Sequence, residues 1–151
     1  DLAGQNSPLH RTPCPIRPNP LGTAPDSGRI RRLHLRTLLG LLKGLFRGEF
    51  LYANTFFETI VREELYRLLT WRVGRDTNFS LSVGKAHKRL PAYFEGLESL
   101  YDLSDLTRTG QALSTALKMA TALLPSLSQD LQLTYDLATV ARTTDYILRQ
   151  L

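Results

Sequence analysis

Residues 57–73 read FETIVREELYRLLTWRV, and this stretch decides the fold. Phe57, Ile60, Val61, Leu65, Leu68 and Leu69 recur at steps of three and four, the spacing that gathers side chains on one face of an α-helix. Arg62, Glu63, Tyr66 and Arg67 fall on the opposite side. Glu58 to Arg62 and Glu63 to Arg67 are (i, i+4) pairs in the acid-first order that supports a solvated helix face. The pattern predicts a helix over residues 51–73, with Gly74 as its C-cap.

On the C-terminal side, Asp76-Thr77-Asn78-Phe79-Ser80 is turn chemistry. Ser80 or Ser82 is placed to cap a further helix carrying Val83, Ala86 and Leu90, which Pro91 stops or restarts. Tyr93, Phe94, Leu97, Leu100 and Tyr101 continue an apolar face, and Gly110 marks a break. Leu113, Ala116, Leu117, Ala120 and Leu123 form the next stripe, closed by Pro125. Leu133, Leu137, Val140, Ala141, Ile147 and Leu148 form the last. On the N-terminal side, Leu35, Leu38, Leu39, Leu42, Leu45 and Phe46 mark a helix face, interrupted by Gly40, Gly44 and Gly48. That glycine stripe either admits a close neighbour or weakens the helix, and Gly48 ends or kinks it. No run alternates between hairpin turns as strands do. The expected fold is all-α, an antiparallel bundle of about five helices.

Six of the eight prolines lie within residues 8–25. Proline removes amide donors and fixes φ, so residues 1–30 read as a disordered tail or linker and 31–151 as the helical domain. The net charge of +5 is not spread evenly. Residues 1–47 hold eight basic side chains against two acids; the remainder holds eleven against twelve. The body is therefore near neutral, which argues against nucleic acid as its partner. No apolar run reaches bilayer-spanning length, which argues against a membrane. A lone cysteine, Cys14, fits a reducing, cytoplasmic setting. The first residue is Asp1, as expected of a fragment or processed product.

Self-sufficient catalysis has no signature here. No Asp-x-Asp or Asp-x-Glu pair offers to hold magnesium, and His10, His34 and His87 with one cysteine give no zinc spacing. Gly84-Lys85 resembles the end of a phosphate loop, but Phe79 stands where that motif needs its first glycine and Ala86 where it needs Ser or Thr. No catalytic and no metal-binding residue is expected in this chain.

Two stretches carry a family resemblance. The stretch from Phe57 to Lys85 contains Val61-Arg-Glu-Glu-Leu65, then Leu69-Thr-Trp71 running to Gly74, then Thr77-Asn-Phe-Ser80 and Val83-Gly-Lys85. Lys43-Gly-Leu-Phe-Arg-Gly-Glu49 is the second. Together they resemble the C-terminal helical domain of the aminoglycoside 6-adenylyltransferase family, the streptomycin-modifying enzymes. Residues 38–95 carry the likeness well, 96–150 loosely and 1–33 not at all. Asn78 stands where the family's turn has an acid and Arg72 where it has an aromatic; His87 and Pro91 also depart from the pattern.

The resemblance implies transfer of AMP from ATP to a hydroxyl of a streptomycin-like aminoglycoside, conferring antibiotic resistance. ATP and Mg2+ serve the intact family enzyme, in which an N-terminal nucleotidyltransferase domain carries the metal-holding carboxylates. That domain is missing here, so this chain alone is expected to be inactive and to bind neither tightly. The same resemblance implies Lys43 and Arg47 as nucleotide-binding residues, and Glu49, Glu63 and Trp71 as residues that meet the drug. Each has a plainer reading. Lys43 and Arg47 fit the solvated face of a weak helix, Glu63 fits a partner for Arg67, and Trp71 fits core at a helix end. Two alternatives stand beside the enzyme: a helical protein-interaction module docking through residues 35–48, and an anionic-surface binder using the arginines of 29–36.

Overall fold

The computed structural model describes residues 38–130 and 136–151. The expected tail over 1–30, the arginines of 29–36, Leu35 and Leu133 lie outside the described residues. Among the described residues the chain is all-α with no strand. The helices are α1 (38–46), α2 (Phe50–Phe56), α3 (Arg62–Asp76), α4 (Leu106–Asp130) and α5 (Leu137–Gln150). None of them is long and apolar enough to cross a membrane.

α2 and α3 form one continuous rod, joined by a π-helical turn at Phe57–Val61. The sequence explains the turn. Ala53, Phe57, Val61, Leu65 and Leu69 are all buried and all four residues apart. In a regular α-helix each such step drifts about 40° around the axis. A wider π turn takes up part of that drift and keeps the stripe facing the core.

The rod is covered on two sides. α4 packs along one, and Leu113, Ala116, Leu117, Leu124 and Leu127 meet the rod's stripe in a shared core. α4 begins at Asp105, whose carboxylate accepts from the Arg108 amide at 2.8 Å. At one end of the pair the Thr109 hydroxyl donates to Asn54 Oδ1 at 2.6 Å; at the other Arg75 Nη1 meets Asp130 Oδ2 at 2.6 Å. Positions 54 and 75 on the rod therefore face 109 and 130 on α4, so the central pair runs parallel. α5 runs back along α4, bringing Leu151 against Gly110. Asp136 caps α5 by accepting from the Thr139 amide at 3.1 Å.

A parallel pair needs a crossover, and residues 77–105 provide it. The helix expected from Ser80 onward is replaced by three 3₁₀ turns, at Lys85–His87, Leu90–Ala92 and Leu97–Tyr101. Gly84, Ala86 and His87 all have positive φ, which breaks any regular helix there. Val83, Leu90, Leu97, Leu100 and Leu103 are nevertheless buried. They pin an irregular strap to the second side of the rod.

That strap overturns the solvated-face reading of α3. Arg62 and Tyr66 are only 8% and 6% exposed. Arg62 donates from Nε and Nη2 to the Leu100 carbonyl at 3.2 and 2.7 Å, and its guanidinium lies 3.8 Å over the Tyr101 ring. Arg67 pairs with Glu64 at 2.8 Å instead of Glu63. Other local expectations also shift. Gly74 is buried inside α3, where a Cβ would stand 2.4 Å from the Phe79 ring; Thr77 caps the helix instead. Gly110 lies within α4, and α4 continues through Pro125 to Asp130. Ala141 is exposed.

Candidate functional site

The turn that follows α1 contains Gly48, whose φ of +71° a side chain would resist. The Glu49 amide donates to the Gly44 carbonyl at 2.9 Å, closing the turn into α2. Gly44 and Gly40 make room for Tyr52, since a Cβ on Gly44 would lie 2.7 Å from its ring. Gly40 and Gly44 are thus covered by an aromatic side chain of this chain's own α2, while Gly48 faces open space.

This turn gathers three of the residues singled out from sequence. Lys43, Arg47 and Glu49 are all exposed, and Arg47 Nη1 is 4.0 Å from Glu49 Oε1. The pair is a loose surface contact that leaves both groups free to meet a ligand. Apolar side chains surround them. Leu51 is 78% exposed and Phe46 63%, with Leu39, Phe50 and Tyr52 also exposed. Half of the large exposed apolar side chains in the described structure sit within these fourteen positions, 39–52. Such a cluster marks a contact surface more than a solvated helix end.

The other two residues lie elsewhere. Glu63 is exposed on α3, about 20 Å along the rod from Glu49. Trp71, farther still, is packed in the core at 8% exposure.

A concavity of about 200 Å3 lies elsewhere, where the strap crosses α3, and no sequence pattern announced it. Tyr66, Tyr101 and His87 supply aromatic walls, Leu90 and Leu97 an apolar floor, and Lys88 and Glu98 a charged rim. The Tyr66 hydroxyl donates to the Tyr101 oxygen at 2.7 Å, and the His87 ring lies 5.0 Å from the Tyr66 ring. Burial, followed by the Tyr101 hydrogen bond, pushes the Tyr66 hydroxyl well above the ordinary tyrosine value.

Among the described residues no three His, Cys, Asp or Glu side chains come together as a metal site would need.

A family model described as streptomycin adenylyltransferase matches residues 35–150. The aminoglycoside 6-adenylyltransferase of Staphylococcus aureus is 33% identical over 75 residues, covering 46% of this chain and 27% of that protein. That of Campylobacter jejuni is 27% identical over 115 residues, covering 73% and 40%. That of Bacillus subtilis (strain 168) is 28% identical over 100 residues, covering 63% and 35%. The chain therefore spans between 27% and 40% of the length of these curated relatives. With the family's match running from ahead of α1 to the end of α5, the chain belongs to the streptomycin adenylyltransferase family.

Proposed function

We propose that this chain is the helical part of an aminoglycoside nucleotidyltransferase. The reaction moves AMP from ATP to a hydroxyl of a streptomycin-like drug and releases pyrophosphate, so that the modified drug no longer acts as an antibiotic. The observation that carries this reading is the family match over residues 35–150. ATP places the reaction in the cytoplasm.

The metal-binding carboxylates belong, on this reading, to a nucleotidyltransferase domain that meets the α1–α2 turn. Exposed apolar side chains around a charged turn suit such a domain contact. Lys43 and Arg47 face the triphosphate and stabilise charge as it shifts toward the leaving pyrophosphate. Glu49 meets a guanidinium or amine of the drug. Glu63, about 20 Å along the rod, meets a more distant part of the same drug. Trp71 acts indirectly, by packing the far end of α3 from within the core.

The test uses this chain joined to the nucleotidyltransferase domain of a relative. Lys43→Ala should raise KM for ATP or lower kcat, by about 1.5–3 kcal/mol in kcat/KM, the scale of a lost charged hydrogen bond. Glu49→Gln should chiefly raise KM for the aminoglycoside. Wild-type constants in both variants, with unchanged melting temperatures, would remove the turn from the site.

A further inference from the structure

α2 is a short helix with little apolar surface to hold it. It runs over Phe50–Phe56, between Gly48 at φ +71° and the π-helical turn at Phe57–Val61. Both ends depart from regular α geometry, so neither neighbour dictates how α2 is rotated. Of its side chains only Ala53 is buried, and one methyl group fixes a helix poorly. α1 is better anchored, since Leu41 and Leu42 both lie in the core. Tyr52 of α2 leans on Gly40 and Gly44 of α1 but is itself exposed.

The remaining hold on α2 is Asn54. Its Nδ2 donates to the Leu103 carbonyl, at the end of the strap, at 2.9 Å, and its Oδ1 accepts from the Thr109 hydroxyl at 2.6 Å. The Leu103 carbonyl can only accept, which fixes the orientation of the amide. Thr109 is fully buried in α4. Its hydroxyl has one proton, and the competing Asp105 carbonyl, 3.0 Å away, already accepts from the Thr109 amide. One side chain therefore joins α2, the strap and α4. Among the described residues no other side chain of α2 makes a hydrogen bond to another element. Glu49, the N-cap of α2, stands about 7.5 Å along the helix from Asn54. Asn54 is half-buried against α4 and acts on the turn through the backbone of α2, without touching a ligand.

We propose that Asn54 is a positioning residue: its clasp on Leu103 and Thr109 fixes the rotation of α2, and with it the place of Glu49 beside Arg47. The part Glu49 plays toward the drug rests on the nucleotidyltransferase reading; the hold of Asn54 on α2 does not. Loosening α2 displaces Glu49, whereas Lys43 stays with the separately anchored α1. Drug and nucleotide are therefore affected unequally.

Two measurements test this. In the full 151-residue chain, Asn54→Ala should speed hydrogen exchange at the amides of positions 53–57 about tenfold, the scale of the lost bonds, and leave those of Leu113 to Leu117 in α4 unchanged. The Thr109 hydroxyl falls back on the Asp105 carbonyl in that variant, so no buried donor is stranded. Thr109→Val should give the same pattern, and Thr109→Ser, which keeps the hydroxyl, should stay near wild type. In the chain joined to a relative's nucleotidyltransferase domain, Asn54→Ala should raise KM for the aminoglycoside about three- to tenfold and leave KM for ATP within about twofold. A merely destabilising change would reduce the active fraction, lowering kcat with both KM values unchanged. Unaltered exchange over 53–57, a Thr109→Ser variant as loose as Thr109→Val, or an unchanged aminoglycoside KM in an active joined enzyme would overturn the proposal. A joined wild type that transfers no AMP counts against the nucleotidyltransferase reading instead, and the exchange rates then decide the role of Asn54 by themselves.

Discussion

Replacing Arg62 strikes the joint between the central rod and the strap. Arg62 is 8% exposed, and its guanidinium makes two contacts to the Leu100 carbonyl at 3.2 and 2.7 Å and stacks 3.8 Å over Tyr101. A hydrogen bond from a charged donor is worth about 1.5–3 kcal/mol. A desolvated cation–π contact adds about 2 kcal/mol. The buried stem adds about 0.8 kcal/mol per methylene. These contributions share one geometry and do not sum fully, so Arg62→Ala should cost about 3–5 kcal/mol. Against a domain stability of about 5–15 kcal/mol, that loss leaves the variant marginal. Arg62→Lys keeps the charge and stem but loses the fork and much of the stacking, and should cost about 1–2 kcal/mol. Urea unfolding followed by helical circular dichroism reads both. If Arg62→Ala stays within about 0.5 kcal/mol of wild type, the side chain is solvated and the strap is not tied through it.

Two other outcomes follow from the same packing. Gly74→Ala places a Cβ 2.4 Å from the stiff Phe79 ring, so it should destabilise by about 1–3 kcal/mol in the same unfolding assay, even though alanine is the better helix former. Tyr66 keeps its proton in the folded chain at pH values where the unfolded chain, with an ordinary value of about 10, has lost it. Its contribution to stability is therefore fully present below about pH 10 and is lost as pH rises from there through the raised folded value. Tyr66→Phe should flatten the alkaline limb of a stability–pH curve.

Sequence periodicity located the helices wherever one face did all the burying. The stripe from Phe57 to Leu69 lies in the core as its spacing implies, with Ile60 at its margin. It failed where a second layer covers the same helix. Arg62 and Tyr66 look solvated on a single helix, and only the strap, 35 or more residues downstream, buries them. The strap departs from the expected helix because Val83, Ala86 and Leu90, at steps of three and four, suit a helix equally well. The positive φ of Ala86 and His87 leaves no mark in residue type. Pro125 misled in the opposite direction, since α4 accommodates it on an exposed face. Lys43, Arg47 and Glu49 are close in sequence and close in space. The Tyr66–His87–Tyr101 pocket is assembled from positions far apart in the chain, and no local spacing encodes it.

The account stands most directly on streptomycin-dependent pyrophosphate release from ATP and Mg2+. This chain, joined to a relative's nucleotidyltransferase domain in place of that relative's own helical part, should release pyrophosphate only when streptomycin is present. The chain alone should match a no-protein control. A correctly folded joined enzyme that releases none, or turnover by the isolated chain, would contradict the proposed division of labour.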